Sequence, residues 1–290
     1  MTETLIPFTS ADGLALAARD FGGRPDAPTV LCLHGLTRNS KDFAGLAAAL
    51  ISDYRVIAPD QRGRGRSAYD PQPLNYNLII QSNDVWTLLD RLAIDKVAIV
   101  GTSMGALMSI IMANTQPDRI AGLILNDAGP VVGAEGLARI AGYVGKSMAA
   151  ADWTGATAAL KAVHTPSLPT YTDADWLRMA RNTYIEDPDG DGGLRLDYDP
   201  NLAKAFATDN GVTPDLWAAF EVLASIPALV TRGAHSDILA AETAAAMAER
   251  FPLTTVATVP DRGHAPDLTE PEAVAPVAAF LRSEAVRARW

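Results

Sequence analysis

The sequence predicts an α/β fold: a mostly parallel, eight-stranded sheet with helices on both faces, interrupted by an inserted helical segment. Three observations predict it. Short charge-free runs, TVLCLH (29–34), IAGLIL (120–125) and ALVT (228–231) among them, read as strands buried on both faces. Stretches of helical apolar period separate them, which implies crossover connections between parallel strands. The rhythm breaks after Pro130 and resumes near residue 226.

Taken in order, Leu5–Ser10 and Leu14–Phe21 flank Asp12-Gly13 and read as a hairpin whose two turn positions both need φ > 0. Strand 29–34 follows, then a helix over 40–50 and a strand over 54–59. Residues 77–92 place Leu78, Val85, Leu88, Leu89 and Leu92 near one helical face. KVAIV (96–100) is a further buried strand, Met104–Ala113 the helix after it, and 120–125 the next strand. Beyond the insertion come strand 228–231, a helix over 241–250, strand TVATV (255–259) and a closing helix from Pro271. The expected organisation is a core of 1–130 plus 226–290 and a mainly helical lid of 131–225.

Composition narrows the function classes. Of 290 residues, 48% are apolar and 20% charged, enough to bury a core without disulfide or metal support. The single cysteine, Cys32, excludes an intrachain disulfide and reads as a small core residue. A net charge of −10 repels nucleic-acid phosphates and anionic membranes, so neither partner is expected. Arg62, Arg64 and Arg66 form too short and isolated a cluster to reverse that, and read as a structural loop. The N-terminus shows no basic region followed by an apolar run, and the uncharged stretch 97–113 is broken at Gly101 and Gly105. A cytoplasmic monomer or homodimer acting on a small molecule is the expectation.

The chemistry centres on Gly101-Thr102-Ser103-Met104-Gly105, directly between a buried strand and a helix. A serine at the apex of a sharp strand-to-helix turn needs tiny neighbours, and the glycines supply them. The turn lifts the hydroxyl above the sheet, at the positive end of a helix. Such a serine needs a base. Of the four histidines, His264 lies in a loop past the last strand, at the sheet edge where open α/β folds place their sites. His164 falls in the insertion and reads as surface or packing, and His235 lies near the site. The base needs an orienting carboxylate. Asp237, after strand 228–231, gives the chain order Ser103, Asp237, His264; Asp127, after strand 120–125, is the alternative acid. The backbone N–H groups of Leu36 and Met104 are the expected oxyanion donors, each worth roughly 3 kcal/mol at a transition state. His34 and Gly35 support that loop.

The ordered set LCLHGL, APDQRGRGRS, GTSMG, RGAHSD and DRGHAP resembles the α/β-hydrolase fold superfamily across the whole core. Within it the chain is similar to bacterial carboxylesterases, enol-lactonases and meta-cleavage-product hydrolases with a helical lid. The resemblance implies hydrolysis of a carboxylic ester or lactone through an acyl-enzyme and makes the arginine loop structural. Carbon–carbon hydrolysis of ring-fission products is the second reading, and it would need a carboxylate-binding lid arginine such as Arg139, Arg178 or Arg181. A ligand-sensing receptor on a hydrolase scaffold is the third. Serine at the elbow argues against epoxide hydrolases and haloalkane dehalogenases, which carry aspartate there. No cofactor and no metal are expected: Asp187–Gly192 matches the first half of a calcium loop, but Tyr198 stands where its glutamate should be. Trp153, Trp176, Trp217, Tyr171 and Tyr184 read mainly as packing, with one or two lining the pocket.

Overall fold

The charge-free runs pair into one sheet. The structure, a computed structural model, describes residues 3–187, 192–206 and 215–290. Strands β1 (Thr4–Thr9), β2 (Ala15–Gly22), β3 (Thr29–Leu33), β4 (Arg55–Asp60), β5 (Val97–Thr102) and β6 (Ile120–Asn126) precede the insertion. A ribbon of β7 (Tyr184–Glu186) and β8 (Leu194–Leu196) lies within it, and β9 (Ala228–Gly233) and β10 (Thr254–Val259) follow. The eight sheet strands run in the order β1-β2-β4-β3-β5-β6-β9-β10. β2 is antiparallel to β1 and β4, and the remaining pairs are parallel, so the expected fold class holds. Every residue of β3 and β6 is buried, as uninterrupted apolar runs require.

Helices cover both faces. α1 (Ala44–Leu50) packs with α10 (Pro271–Leu281) on one side, and a short α11 (Glu284–Arg287) closes the chain. The other face carries α2 (Leu78–Arg91), α3 (Met104–Thr115) and α9 (Ala241–Arg250). Between β6 and β9 lie α4 (Ala134–Tyr143), α5 (Trp153–His164), α6 (Asp173–Thr183), α7 (Leu202–Phe206) and α8 (Trp217–Phe220). The described part of that stretch contributes no strand to the main sheet. Among the described residues, no helix is long and apolar enough to cross a membrane. The calcium-loop-like stretch lies mostly outside the described residues.

The first hairpin differs from expectation. Register pairs Thr9 with Ala15, so the loop spans five residues, and only Gly13 takes positive φ. Asp12 is diverted to a tertiary role: its carboxylate accepts from Ser10 Oγ and from Arg62, which with Ser10 holds its pKa down at about 2. The helix over 40–50 opens as a 3₁₀ turn, Ser40–Phe43, because Asp60 Oδ1 accepts the Ser40 N–H at 2.7 Å.

Of the basic cluster, Arg62 and Arg64 are fully buried and structural, whereas Arg66 is exposed. Arg62 forks onto Asp84 with two bonds of 2.7 Å and reaches Asp70 at 2.5 Å. These contacts fasten the loop after β4 to the first hairpin and to α2. Arg62→Met strands Asp70 and Asp84 without their counter-ion. It should cost about 3–5 kcal/mol, read as a fall in melting temperature of roughly ten degrees.

Candidate active site

β5 ends at Thr102, and the chain turns into α3 within one residue. Ser103 occupies that corner with φ 53° and ψ −113°, a conformation a side-chain-bearing residue rarely takes. Only glycines permit the turn. A Cβ on Gly101 would meet Gly105 O at 2.4 Å, and one on Gly105 would meet Leu33 O at 2.1 Å. The Ser103 N–H donates to Asn126 O at 3.0 Å, which anchors the corner to β6.

The Ser103 hydroxyl meets His264 Nε2 at 2.8 Å, and His264 Nδ1 meets Asp127 Oδ2 at 2.8 Å. In the neutral ring Nδ1–H donates to the carboxylate and Nε2 accepts from the hydroxyl. Asp127 is wholly buried and His264 nearly so. Asp127 also accepts from the Gly233 N–H at 2.9 Å and from Ser236 Oγ at 2.6 Å, so each of its oxygens has a donor.

The expected acid is therefore corrected. Asp237 does not bond His264; it takes a two-bonded fork from Arg139 of α4, at 2.6 and 2.8 Å. Burial alone would raise its carboxyl, but the Arg139 hydrogen bonds and charge outweigh this and hold it below the ordinary value. Register explains the choice. Thr102 and Asn126 are Cα partners on β5 and β6, so Ser103 and Asp127 are the next residues on adjacent parallel strands. Asp237 stands four residues beyond the end of β9, turned toward α4.

The His34-Gly35-Leu36 loop runs beside Ser103: a Cβ on Gly35 would lie 3.8 Å from that of Ser103. His34 Nδ1–H donates to Gly35 O at 2.8 Å, and its Nε2 accepts the Gln61 N–H at 3.0 Å. Gly35 C=O and Leu36 N–H share one planar peptide, so His34 fixes the direction of the Leu36 amide. Burial lowers the His34 pKa to about 4 and keeps the ring neutral for this task. Arg64 holds the next peptide, donating to Leu36 O at 2.9 Å.

Two cavities meet at Leu36, Ser103 and Ile140. One, of about 440 Å³, is apolar, with Leu78, Leu107, Leu137 and Leu216 in its wall. The other, of about 470 Å³, carries His264, Arg38, Tyr143, His164, Tyr171 and Arg178. Of the aromatic residues singled out in the sequence, Tyr171 lines this cavity, whereas Trp176 and Tyr184 are buried in the insertion's own cluster. His164 faces the cavity instead of serving only as packing, and burial lowers its pKa to about 4. His235 is exposed and sits 3.9 Å from Asp261. Arg139 is committed to Asp237, Arg178 pairs with Asp175 and Asp267, and Arg181 is exposed. Among the described residues no cluster of metal-ligating side chains occurs. Sequence reasoning missed Ser236, Asn126 and Arg38. The pairing of two strand-end residues, Thr102 and Asn126, was the available clue to the second.

Residues 30–277 match the model of the alpha/beta hydrolase family. The chain is 36% identical over 278 residues to a 3-hydroxybutyrate-oligomer hydrolase from Cupriavidus necator, covering 93% of this chain and 94% of that protein. It is 29% identical over 248 residues to a 2-(acetamidomethylene)succinate hydrolase from Mesorhizobium japonicum, covering 84% of each. A crystal structure of an alpha/beta hydrolase from Novosphingobium aromaticivorans superposes with a TM-score of 0.91 at 41% identity, covering 96% of this chain and 98% of that one.

Two expectations follow. Asp127→Asn should lower kcat by ~10³–10⁴, while Asp237→Asn should stay within about tenfold of the parent; steady-state kinetics on one ester separates them. The second concerns pH. His34 and His164 have folded pKa values of about 4, below the ordinary 6.5, so the unfolded chain binds more protons between those values. Stability from these groups is complete above about pH 6.5 and is lost as pH falls toward about 4. Thermal melts across that range should show the loss, with a shallower slope in His34→Gln.

Proposed function

The chain belongs to the alpha/beta hydrolase family, and on that footing we propose that it is a serine hydrolase cleaving a carboxylic ester or lactone through an acyl-enzyme. The observation that carries this reading is the unbroken line of hydrogen bonds from Ser103 through His264 to Asp127. Ser103 Oγ attacks the carbonyl carbon while His264 Nε2 takes its proton. The buried Asp127 carboxylate stabilises the resulting imidazolium. The Leu36 and Met104 amides receive the oxyanion, aided by the N-terminus of α3. His264 then protonates the leaving alcohol oxygen, and water, activated by the same ring, releases the acyl group. In this reading residues 131–225 form a lid over the two cavities.

The bond class rests on the Cupriavidus relative, whose substrate units are 3-hydroxy acids joined by esters. Of the lid arginines that ring-fission chemistry would use, Arg139 and Arg181 line neither cavity, and Arg178 is divided between Asp175 and Asp267. A fluorophosphonate should label the native protein at Ser103, located by peptide mapping, and leave Ser103→Ala unlabelled. That variant should lose up to ~10⁶ in kcat on a p-nitrophenyl ester. Undiminished turnover by it would overturn the proposal.

A further inference from the structure

The two cavities differ in chemistry, and the position of His264 assigns an arm of the substrate to each. A tetrahedral carbon on Ser103 has three other directions. Its oxyanion points to the Leu36 and Met104 amides, and its leaving oxygen must lie within reach of His264 Nε2, which supplies the proton. The acyl chain takes the direction left. His264 lines the polar cavity and not the apolar one. The alcohol arm therefore enters the polar cavity, and the acyl chain enters the apolar one.

In the polar wall, Arg38 follows directly on the oxyanion loop, with 21% of its side chain exposed. Its Nε and one Nη grip Asp42, each at 2.7 Å, and its other Nη donates to Thr183 Oγ1. A guanidinium has five N–H groups. With three engaged, one N–H remains on each Nη, donors that a carboxylate oxygen can accept. Burial works against its charge, yet Asp42 more than offsets this and keeps the group firmly protonated.

The other charges in that wall are committed. Asp42 is held by Arg38 and Asn182, and Asp267 by Tyr171 and Arg178. Arg178 is 45% exposed and divided between Asp175 and Asp267, and Lys41 bonds Asp197 at 2.9 Å. His164 and Tyr143 meet edge to face in the same wall without adding a charge at neutral pH.

We propose that Arg38 reads a carboxylate on the alcohol arm, so that the preferred substrates are esters of an apolar acid with a hydroxy acid. This rests on the ester-hydrolase reading. The acyl–oxygen bond breaks, the departing oxygen takes the proton held by His264, and the acyl group stays on Ser103 Oγ until water removes it. The products are an apolar carboxylic acid and a free hydroxy acid.

The test compares three butanoate-sized probes on the intact protein: the butanoate ester of 3-hydroxypropanoate, its neutral 3-hydroxypropanamide counterpart, and propyl hydrogen glutarate, whose carboxylate lies on the acyl arm. The first should exceed the second in kcat/KM by about tenfold or more, with the gain in KM, and the third should gain nothing. In Arg38→Gln the ratio of the first two should fall to about one. Equal rates for the first two in the parent protein, or a ratio that persists in folded Arg38→Gln, overturns the assignment. If that variant does not fold, the contrast between alcohol-arm and acyl-arm carboxylates in the parent protein decides. Cleavage of all three without discrimination defeats the role of Arg38 alone. No cleavage of any, with Ser103 unlabelled by fluorophosphonate, defeats the ester-hydrolase reading beneath it.

Discussion

A hydroxyl can stand above the edge of a parallel sheet only if the helix after it begins at once. That requires the helix to press against the neighbouring strand with almost no side chain between. Here the contact is Gly105 of α3 against the Leu33 carbonyl of β3, where an added methyl would lie 2.1 Å from that oxygen. Closeness at this point forces the backbone of Ser103 into its strained angles, and the Ser103 N–H bond to Asn126 holds it there. The backbone angles of Ser103 and the place of its hydroxyl at the sheet edge thus go together with one packing contact.

The remainder of the site is fixed from beneath by neutral and charged hydrogen bonds. Asn126 at the end of β6 accepts from Thr231 of β9 and donates to Thr102 of β5 and to Pro266 O in the histidine loop. One buried amide therefore sets the spacing of three strand ends and of the loop that carries His264. On the other side Arg64, with burial lowering its pKa to about 9, turns its donors to the carbonyls of Leu36 and Arg62 and to Gln81. Desolvating that cation is costly. The return is a loop after β3 whose two consecutive peptides are each held by a side chain, His34 for one and Arg64 for the next. Groups fixed in this way need little reorganisation when negative charge develops.

Much of this was legible in the sequence, for physical reasons that differ from residue to residue. Buried parallel strands leave uninterrupted apolar runs, and a serine between two glycines at a strand end leaves little other interpretation, so the fold and Ser103 stood out. His264 could be placed because it follows the last strand. The acid could not be decided by chain order, since Asp127 and Asp237 each follow a strand at the same sheet edge. What separates them is lateral: β6 is the direct neighbour of β5, and Arg139, distant in sequence, occupies Asp237. The hairpin failed for a related reason. Asp12 looked like a local turn residue, but its strongest partner is Arg62, fifty positions away. Local patterns speak clearly about backbone and poorly about which of two acids a remote arginine will claim.

The insertion shows the same division between local and long-range contacts. Its own apolar cluster includes Ala156, Leu160, Trp176, Ala180, Tyr184 and Leu194, and any amphipathic helices of similar length could build one. Beside apolar contacts such as Ile140 and Val144 on Ile238, its joints to the rest of the chain include directional bonds: Arg139 to Asp237, Arg38 to Thr183, Asn39 to the Asn182 carbonyl, and Lys41 to Asp197. Burial is tolerant of sliding, whereas such bonds are not. The directional joints therefore fix where the insertion's apolar and polar faces stand relative to Ser103. These long-range polar pairs join residues that each read in the sequence as ordinary surface polar groups.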